Sequence, residues 1–198
     1  PTRYTHMAAL ATAFEWGRLK MQASVLGYFV HEKVERFEAR PDKAVATPAF
    51  FGSFKVLKNH DLSVRAFYKR MFRMPTFNDL YYTDMGNAFL KPEYAEQFNV
   101  GLKYTRNFEK SPFMRMLDVS VDAYYNKITD KIIAYPKGQQ FRWTMLNLGE
   151  VEIKGVDAVL NALFTLGKLE VTTKFQYTYQ EAIDITDPAD TYYRDQIP

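Results

Sequence analysis

Eight stretches of this chain alternate apolar and polar side chains one for one, and that period of two restricts the fold more than any other feature. Successive side chains of a β-strand point to opposite faces, so each stretch reads as a strand with one apolar and one polar face. The clearest is Leu169 to Glu181, where Leu169, Val171, Phe175, Tyr177 and Tyr179 oppose Glu170, Thr172, Lys174, Gln176 and Gln180. From Leu117 to Asn126, Leu117, Val119, Val121, Ala123 and Tyr125 oppose Asp118, Ser120, Asp122 and Asn126. Leu62 to Lys69 and Gln97 to Tyr104 repeat the pattern on either side of a polar, aromatic-rich loop. Leu19 to Val30, Val151 to Thr165, Thr5 to Glu15 and Pro48 to Val56 complete the set.

The connections alternate as well. Trp16 to Arg18, Leu57 to His60 and Leu166 to Lys168 have hairpin-turn length, and Thr105 to Arg115 is somewhat longer. The others are long: His31 to Thr47, Arg73 to Glu93, Lys127 to Leu146, and Ala182 onward. Such a pattern predicts an all-β fold, an antiparallel up-and-down meander of about eight long strands with its long loops at one end.

No helical pattern of useful length is present, so no helix layer covers the apolar face. That face must meet a second sheet, a closed barrel interior or lipid. Strands of roughly 10 to 13 residues are long for a soluble sheet and close to what a tilted strand needs to cross a bilayer. Lys20, Arg65, Lys69, Lys103, Asp118, Asp122, Asp157, Glu170 and Lys174 fall on the polar side, as expected of a water-filled or plugged lumen. Tyr28, Phe29, Tyr68, Phe72, Tyr94, Tyr104, Tyr125, Phe164, Tyr177 and Tyr179 gather near strand ends, as interfacial girdles do. Two alternatives share the pattern: a complete small eight-stranded outer-membrane barrel with an adhesion or structural role, and a soluble lipocalin-like carrier with its apolar face inward.

Composition excludes several function classes. A net charge of +3, with 26 basic residues dispersed among 23 acidic ones, offers no nucleic-acid footprint. With no cysteine, disulfides and thiolate metal sites are ruled out. His6, His31 and His60 lack the spacing that fixes a metal on one element, so no metal or cofactor is expected. Asp184 with Asp187, and Asp118 with Asp122, read as solvated or wall carboxylates, and no nucleophile elbow, phosphate loop or dinucleotide fingerprint occurs. No catalytic residue is expected. Neither a signal-peptide pattern nor an apolar run long enough for a spanning helix is present.

RMPTFNDLYY at Arg73 to Tyr82, followed by LKPE at Leu90 to Glu93 and an alternating strand to Gly101, resembles the TonB-dependent outer-membrane receptors. Asp79 stands where that family usually has Glu. Ala123 to Ile132 (AYYNKITDKI) is similar to the family's outward strand, Asn147 to Asp157 (NLGEVEIKGVD) to its return, and Gln196 to Pro198 to the start of a later loop motif. The resemblance implies a barrel of roughly 22 strands around an N-terminal plug, of which these residues form about a third. It implies import of a scarce nutrient such as an iron chelate, haem, cobalamin or oligosaccharide, in the outer membrane, with TonB engaged through the plug. All of residues 1–198 would then be part of the barrel domain, and the open edges would make an isolated chain self-associate through its first and last strands.

Loop aromatics are the candidate ligand contacts: Tyr81, Tyr82 and Phe89 in one long loop, Tyr135, Phe141, Arg142 and Trp143 in the next, Tyr192 and Tyr193 in the last. Aromatic faces stack on a flat or amphipathic ligand, and an Arg pairs with its carboxylate or phosphate. Anchoring loops to one another, or lining the interfacial belt, explains the same residues equally well. Pro75 and Pro92 end strands, because proline lacks the ladder donor.

Overall fold

The computed structural model describes residues 1–35, 40–57, 61–137, 142–191 and 194–196; the side chains of Lys137 and Arg142 lie outside that description. It is one antiparallel sheet in the order β1-β2-β3-β4-β5-β6-β7-β8. The strands are β1 (Thr2–Trp16), β2 (Leu19–Lys33), β3 (Lys43–Lys55), β4 (Asp61–Arg73), β5 (Glu93–Asn107), β6 (Met114–Lys137), β7 (Arg142–Leu166) and β8 (Leu169–Asp184). Every neighbouring pair is antiparallel, so the meander is as the alternation predicts. Among the described residues β1 does not pair with β8. The sheet is therefore open, unlike the closed small barrel and the lipocalin-like carrier considered above.

Register fixes the two faces. The row Glu15, Lys20, Ser53, Arg65, Gly101, Asp122, Asp157, Thr178 runs across all eight strands on one face. The next row, Phe14, Met21, Gly52, Ala66, Val100, Ala123, Val156, Tyr179, lies on the other. All nine ions named above fall on the first face. Apolar side chains on the second are uncovered: Val100 is 57% exposed, Phe175 61% and Leu10 79%. The hydrophobic effect makes so large an apolar surface costly in water, so it has to meet something apolar.

Short connections lie at one end. β1 and β2 join through Gly17 and Arg18, β7 and β8 through Gly167 and Lys168, with both glycines at positive φ (59° and 65°) as mirror-image hairpin turns require. The turn expected at Leu57 to His60 falls largely outside the described residues.

Two expectations are corrected at the other end. Lys127 to Leu146 is not a long loop: β6 and β7 run on to Lys137 and Arg142, making strands of 24 and 25 residues where the other strands have 13 to 16. The last eight residues of β6 carry this hairpin about 25 Å further at strand rise. Alternation could not reveal it, because Ile132 and Ile133 are adjacent and Pro136 interrupts the pattern. The loop after β4 also holds a short helix, α1 (Phe77–Tyr81). Thr76 accepts from the Asp79 amide while Asp79 accepts from the Thr76 amide, a reciprocal capping box that starts the helix.

Candidate functional site

The long-loop end is built where the β4–β5 connection docks on the β6–β7 hairpin. Leu80 of α1 and Leu90 are buried against Ile132, with Phe77, Tyr81 and Met145 packed around them. Ile132 and Met145 share the parity of Asp122 and Asp157, so the connection lies on the polar-face side of the hairpin. Polar contacts fix it there. Met145 N donates to Met85 O at 2.9 Å, and Asn87 Nδ2 donates to Met145 O at 3.0 Å. Asn147 accepts from Lys91 N at 2.8 Å and donates to Lys91 O and Asp130 O at 3.1 and 2.7 Å, while Glu93 Oε2 accepts from Ile132 N at 3.1 Å.

These contacts give the sequence motifs a physical meaning. Lys91 and Glu93 belong to LKPE, Asn147 opens NLGE, and the two segments are joined to each other and to β6 by hydrogen bonds between side chains and backbone. In RMPTFND, Arg73 Nη2 lies 3.7 Å from Asp79, which also caps α1. The motif residues shape this end of the sheet.

Two arginines tie the same connection to the rest of the molecule. Arg3 donates to Glu32 Oε1 at 2.7 Å and to Pro75 O at 2.6 Å, and its guanidinium sits 5.0 Å from the Phe77 ring centroid. Arg40, before β3, donates to Ala88 O and Leu90 O at 2.8 and 2.5 Å. Neither was visible in the sequence as a site residue, since each acts through backbone oxygens distant along the chain.

The candidate ligand residues are distributed over this end. Tyr81 packs inward, its ring 6.1 Å from Phe77, as a loop anchor. Tyr82 follows the helix and is exposed, and Phe89 is 93% exposed. Tyr135 and Trp143 are strand residues rather than loop residues, and register puts them on opposite faces of the hairpin: Trp143 toward the polar-face side, Tyr135 away from it. Arg142 is the first residue of β7. Phe141, Tyr192 and Tyr193 lie outside the described residues. His31 Nδ1 is 2.6 Å from Asp42 Oδ1, and His60 too lies outside the described residues. Among the described residues no cluster of three or more His, Asp or Glu has metal-site geometry.

Lower on the polar face several ions are matched within the wall. Arg65 reaches across Gly101 of β5 to make a two-nitrogen contact with Asp122 of β6, at 3.2 and 2.5 Å. A side chain at position 101 would overlap that carboxylate. Gly155 does the same for Tyr124, which lies over it and donates to Gln180 at 3.1 Å. Asp118 accepts from Thr105 at 2.8 Å and from Asn161 at 3.4 Å, and lies 3.5 Å from Lys103. Long polar side chains therefore lie along the wall instead of projecting from it.

A two-faced meander with this polar wall and motif-built end matches, over residues 12–198, the family model described as TonB dependent receptor-like, beta-barrel. The chain belongs to the TonB-dependent receptor family. Among curated relatives, the vitamin B12 transporter BtuB of Vibrio vulnificus is 34% identical over 99 residues, covering 50% of this chain and 14% of the relative. BtuB of Photobacterium profundum is 34% identical over 113 residues, covering 54% and 16%. The chain thus spans about a seventh of the length of these relatives. A solved structure, the copper transporter OprC, superposes with a TM-score of 0.65 over 90% of this chain and 29% of its own, at 16% identity, and supports the barrel fold alone. As a member of the TonB-dependent receptor family, the sheet belongs to a β-barrel class.

Proposed function

We propose that this sheet is one wall of an outer-membrane receptor barrel that captures a scarce nutrient at its long-loop end and imports it with energy from TonB. The observation that carries the reading is the separation of faces: the nine mid-wall ions on one side, an uncovered apolar band on the other, in a member of this family. Lipid takes the apolar face and the lumen the polar one. The rest of the barrel pairs with the outer edges of β1 and β8, which otherwise drive self-association. A lumen-filling plug meets the Arg65, Asp122, Lys103 and Asp118 wall and carries the coupling to TonB. No step of this function requires a catalytic residue, metal or cofactor in these residues.

Of the four nutrient classes, cobalamin is favoured, because two relatives at 34% identity are named vitamin B12 transporters. Tyr82, Phe89 and Trp143 are exposed aromatics proposed to meet a large, partly flat ligand; Tyr81, Tyr135, Arg142, Tyr192 and Tyr193 are the remaining candidates. The test is uptake by cells whose only receptor of this class is the full protein. Labelled cyanocobalamin should accumulate, and should stop accumulating when TonB is deleted. Uptake of a ferric chelate, haem or oligosaccharide instead would move the assignment to that ligand. Unchanged ligand affinity after joint replacement of Arg142 and Trp143 by Ala would remove the loop aromatics from the proposal.

A further inference from the structure

The apolar face does not stay apolar to the ends of its strands. Register aligns Arg70, Glu96, Lys127 and Glu152 in one row across β4 to β7 on that face. The row on one side of them is Tyr68, Phe98 and Tyr125, with ring centroids 4.8 and 6.3 Å apart. The row on the other side contains Phe72 and Tyr94, 5.3 Å apart, and Thr129. A charged row between aromatic rows, beyond the band of Val100 and Leu102, lies where the hydrocarbon ends and headgroups begin.

Three of the four charges have partners. Lys127 is 2.7 Å from Glu150 Oε2. Glu152 is 2.5 Å from Lys154 and accepts from Tyr125 at 3.0 Å. Glu96 accepts from Tyr68 at 3.4 Å. Arg70 differs: among the described residues its guanidinium has no hydrogen bond or ion pair, and its Nε is closed to solvent without a partner. Its guanidinium carbon lies 5.3 Å from the Tyr94 ring centroid, which holds it in place. It lines a cavity of about 160 Å³ shared with Tyr94, Glu96, Lys127 and Thr129.

Resting on the membrane reading above, we propose that this cavity binds the phosphate of a lipid headgroup, with Arg70 as the principal contact. A guanidinium presents paired donors that match phosphate oxygens, and an unpaired buried donor is costly until an acceptor arrives. Lys127 and the Thr129 hydroxyl supply further donors in the same cavity. The row carries two cations and two carboxylates, so its charge is balanced overall, and Arg70 is the cation in it without a carboxylate partner among the described residues. The bilayer presents such a phosphate at a fixed depth, immediately past the aromatic row. That registration favours a lipid over a dissolved anion.

The test uses the full receptor, purified in detergent and titrated with phosphatidylethanolamine, with retained lipid counted by native mass spectrometry. Arg70→Gln should weaken retention roughly tenfold, and Arg70→Lys, which keeps the charge and loses the fork, by less. Lys69→Gln, one residue earlier and on the opposite face, should retain lipid as the parent does. A phosphate-free glycosyl diacylglycerol should bind weakly and be indifferent to Arg70. Parent-like retention by both Arg70 variants would overturn the proposal, as would equal Arg70 dependence for the phosphate-free lipid or displacement of the lipid by millimolar inorganic phosphate. Tryptophan placed at Val100 separates this from the membrane reading. Quenching by brominated acyl chains in excess of the parent's, whose Trp16 lies on the same face, with no Arg70 effect overturns the headgroup site alone, and no excess quenching removes both.

Discussion

The wall of the sheet and its long-loop end are made by different physics. Between the short turns and the first aromatic row, alternation does nearly everything: a residue's parity decides its face, and ion pairs such as Arg65 with Asp122 fine-tune a surface already specified. At the long-loop end parity continues, but what holds the structure is a small buried cluster and side chains bonded to distant backbone, as with Asn147 to Lys91 and Arg40 to Leu90. The wall should therefore tolerate substitutions that preserve polarity and resist those that reverse it, whereas the end should depend on individual residues and come loose without disturbing the wall.

Reversing polarity on the wall should have the largest effect. In the full receptor refolded into bilayers, Leu102→Arg places a charge in the apolar band and should destabilise by about 2–4 kcal/mol, read from denaturant unfolding. Lys103→Gln, adjacent and on the polar face, should cost well under that. Similar costs for the two would erase the distinction between faces.

At the loop end, Leu90→Ala opens the Leu80 and Ile132 cluster and should cost about 2–5 kcal/mol of local stability. Limited proteolysis should then cut within residues 82–92 while the unfolding midpoint of the barrel holds. A drop in that midpoint equal to the local loss would show that wall and end are one cooperative unit.

Gly101→Ala puts a methyl group into the Asp122 carboxylate and should break its contact with Arg65, a loss of about 1–3 kcal/mol. Adding Asp122→Ala should recover part of it, and a double-mutant cycle with no coupling would contradict the geometry.

The smallest effect is expected from Thr76→Ala, which removes the cap of α1 and should cost about 1 kcal/mol, seen as faster amide exchange over residues 77–81 alone.

How much was legible in the sequence follows the same division. All nine mid-wall ions sit on the face their parity assigned, because period two is a direct geometric consequence of the extended chain. α1 was missed because a helix of five residues has too few turns to show a period, although Thr76 and Asp79 carry the capping-box spacing. The β6–β7 extension was read as a loop because adjacent Ile132 and Ile133 and the interrupting Pro136 hide the alternation that pairing with β7 restores. The same hidden alternation makes Trp143 and Tyr135 look like loop neighbours, whereas their register separates them onto two faces. The charged row through Arg70 is hard to see in the sequence because it lies just beyond the apolar alternation that marks β4 and β5. Continuing the even positions of β4 and β5 from Tyr68 and Phe98 would have reached Arg70 and Glu96.

The central claim, that the apolar face meets lipid and the ionic face the lumen, is tested most directly at Asn99 and Val100, adjacent residues on opposite faces. Residues 1–198 contain no cysteine, so a nitroxide on a single cysteine introduced at either position reports from one place in this wall. In the full receptor in bilayers, the label at position 100 should relax strongly with membrane-dissolved oxygen and weakly with a water-soluble nickel chelate, while the label at position 99 should show no such preference for oxygen. Equal accessibility at the two positions, or the reverse order, would contradict the account.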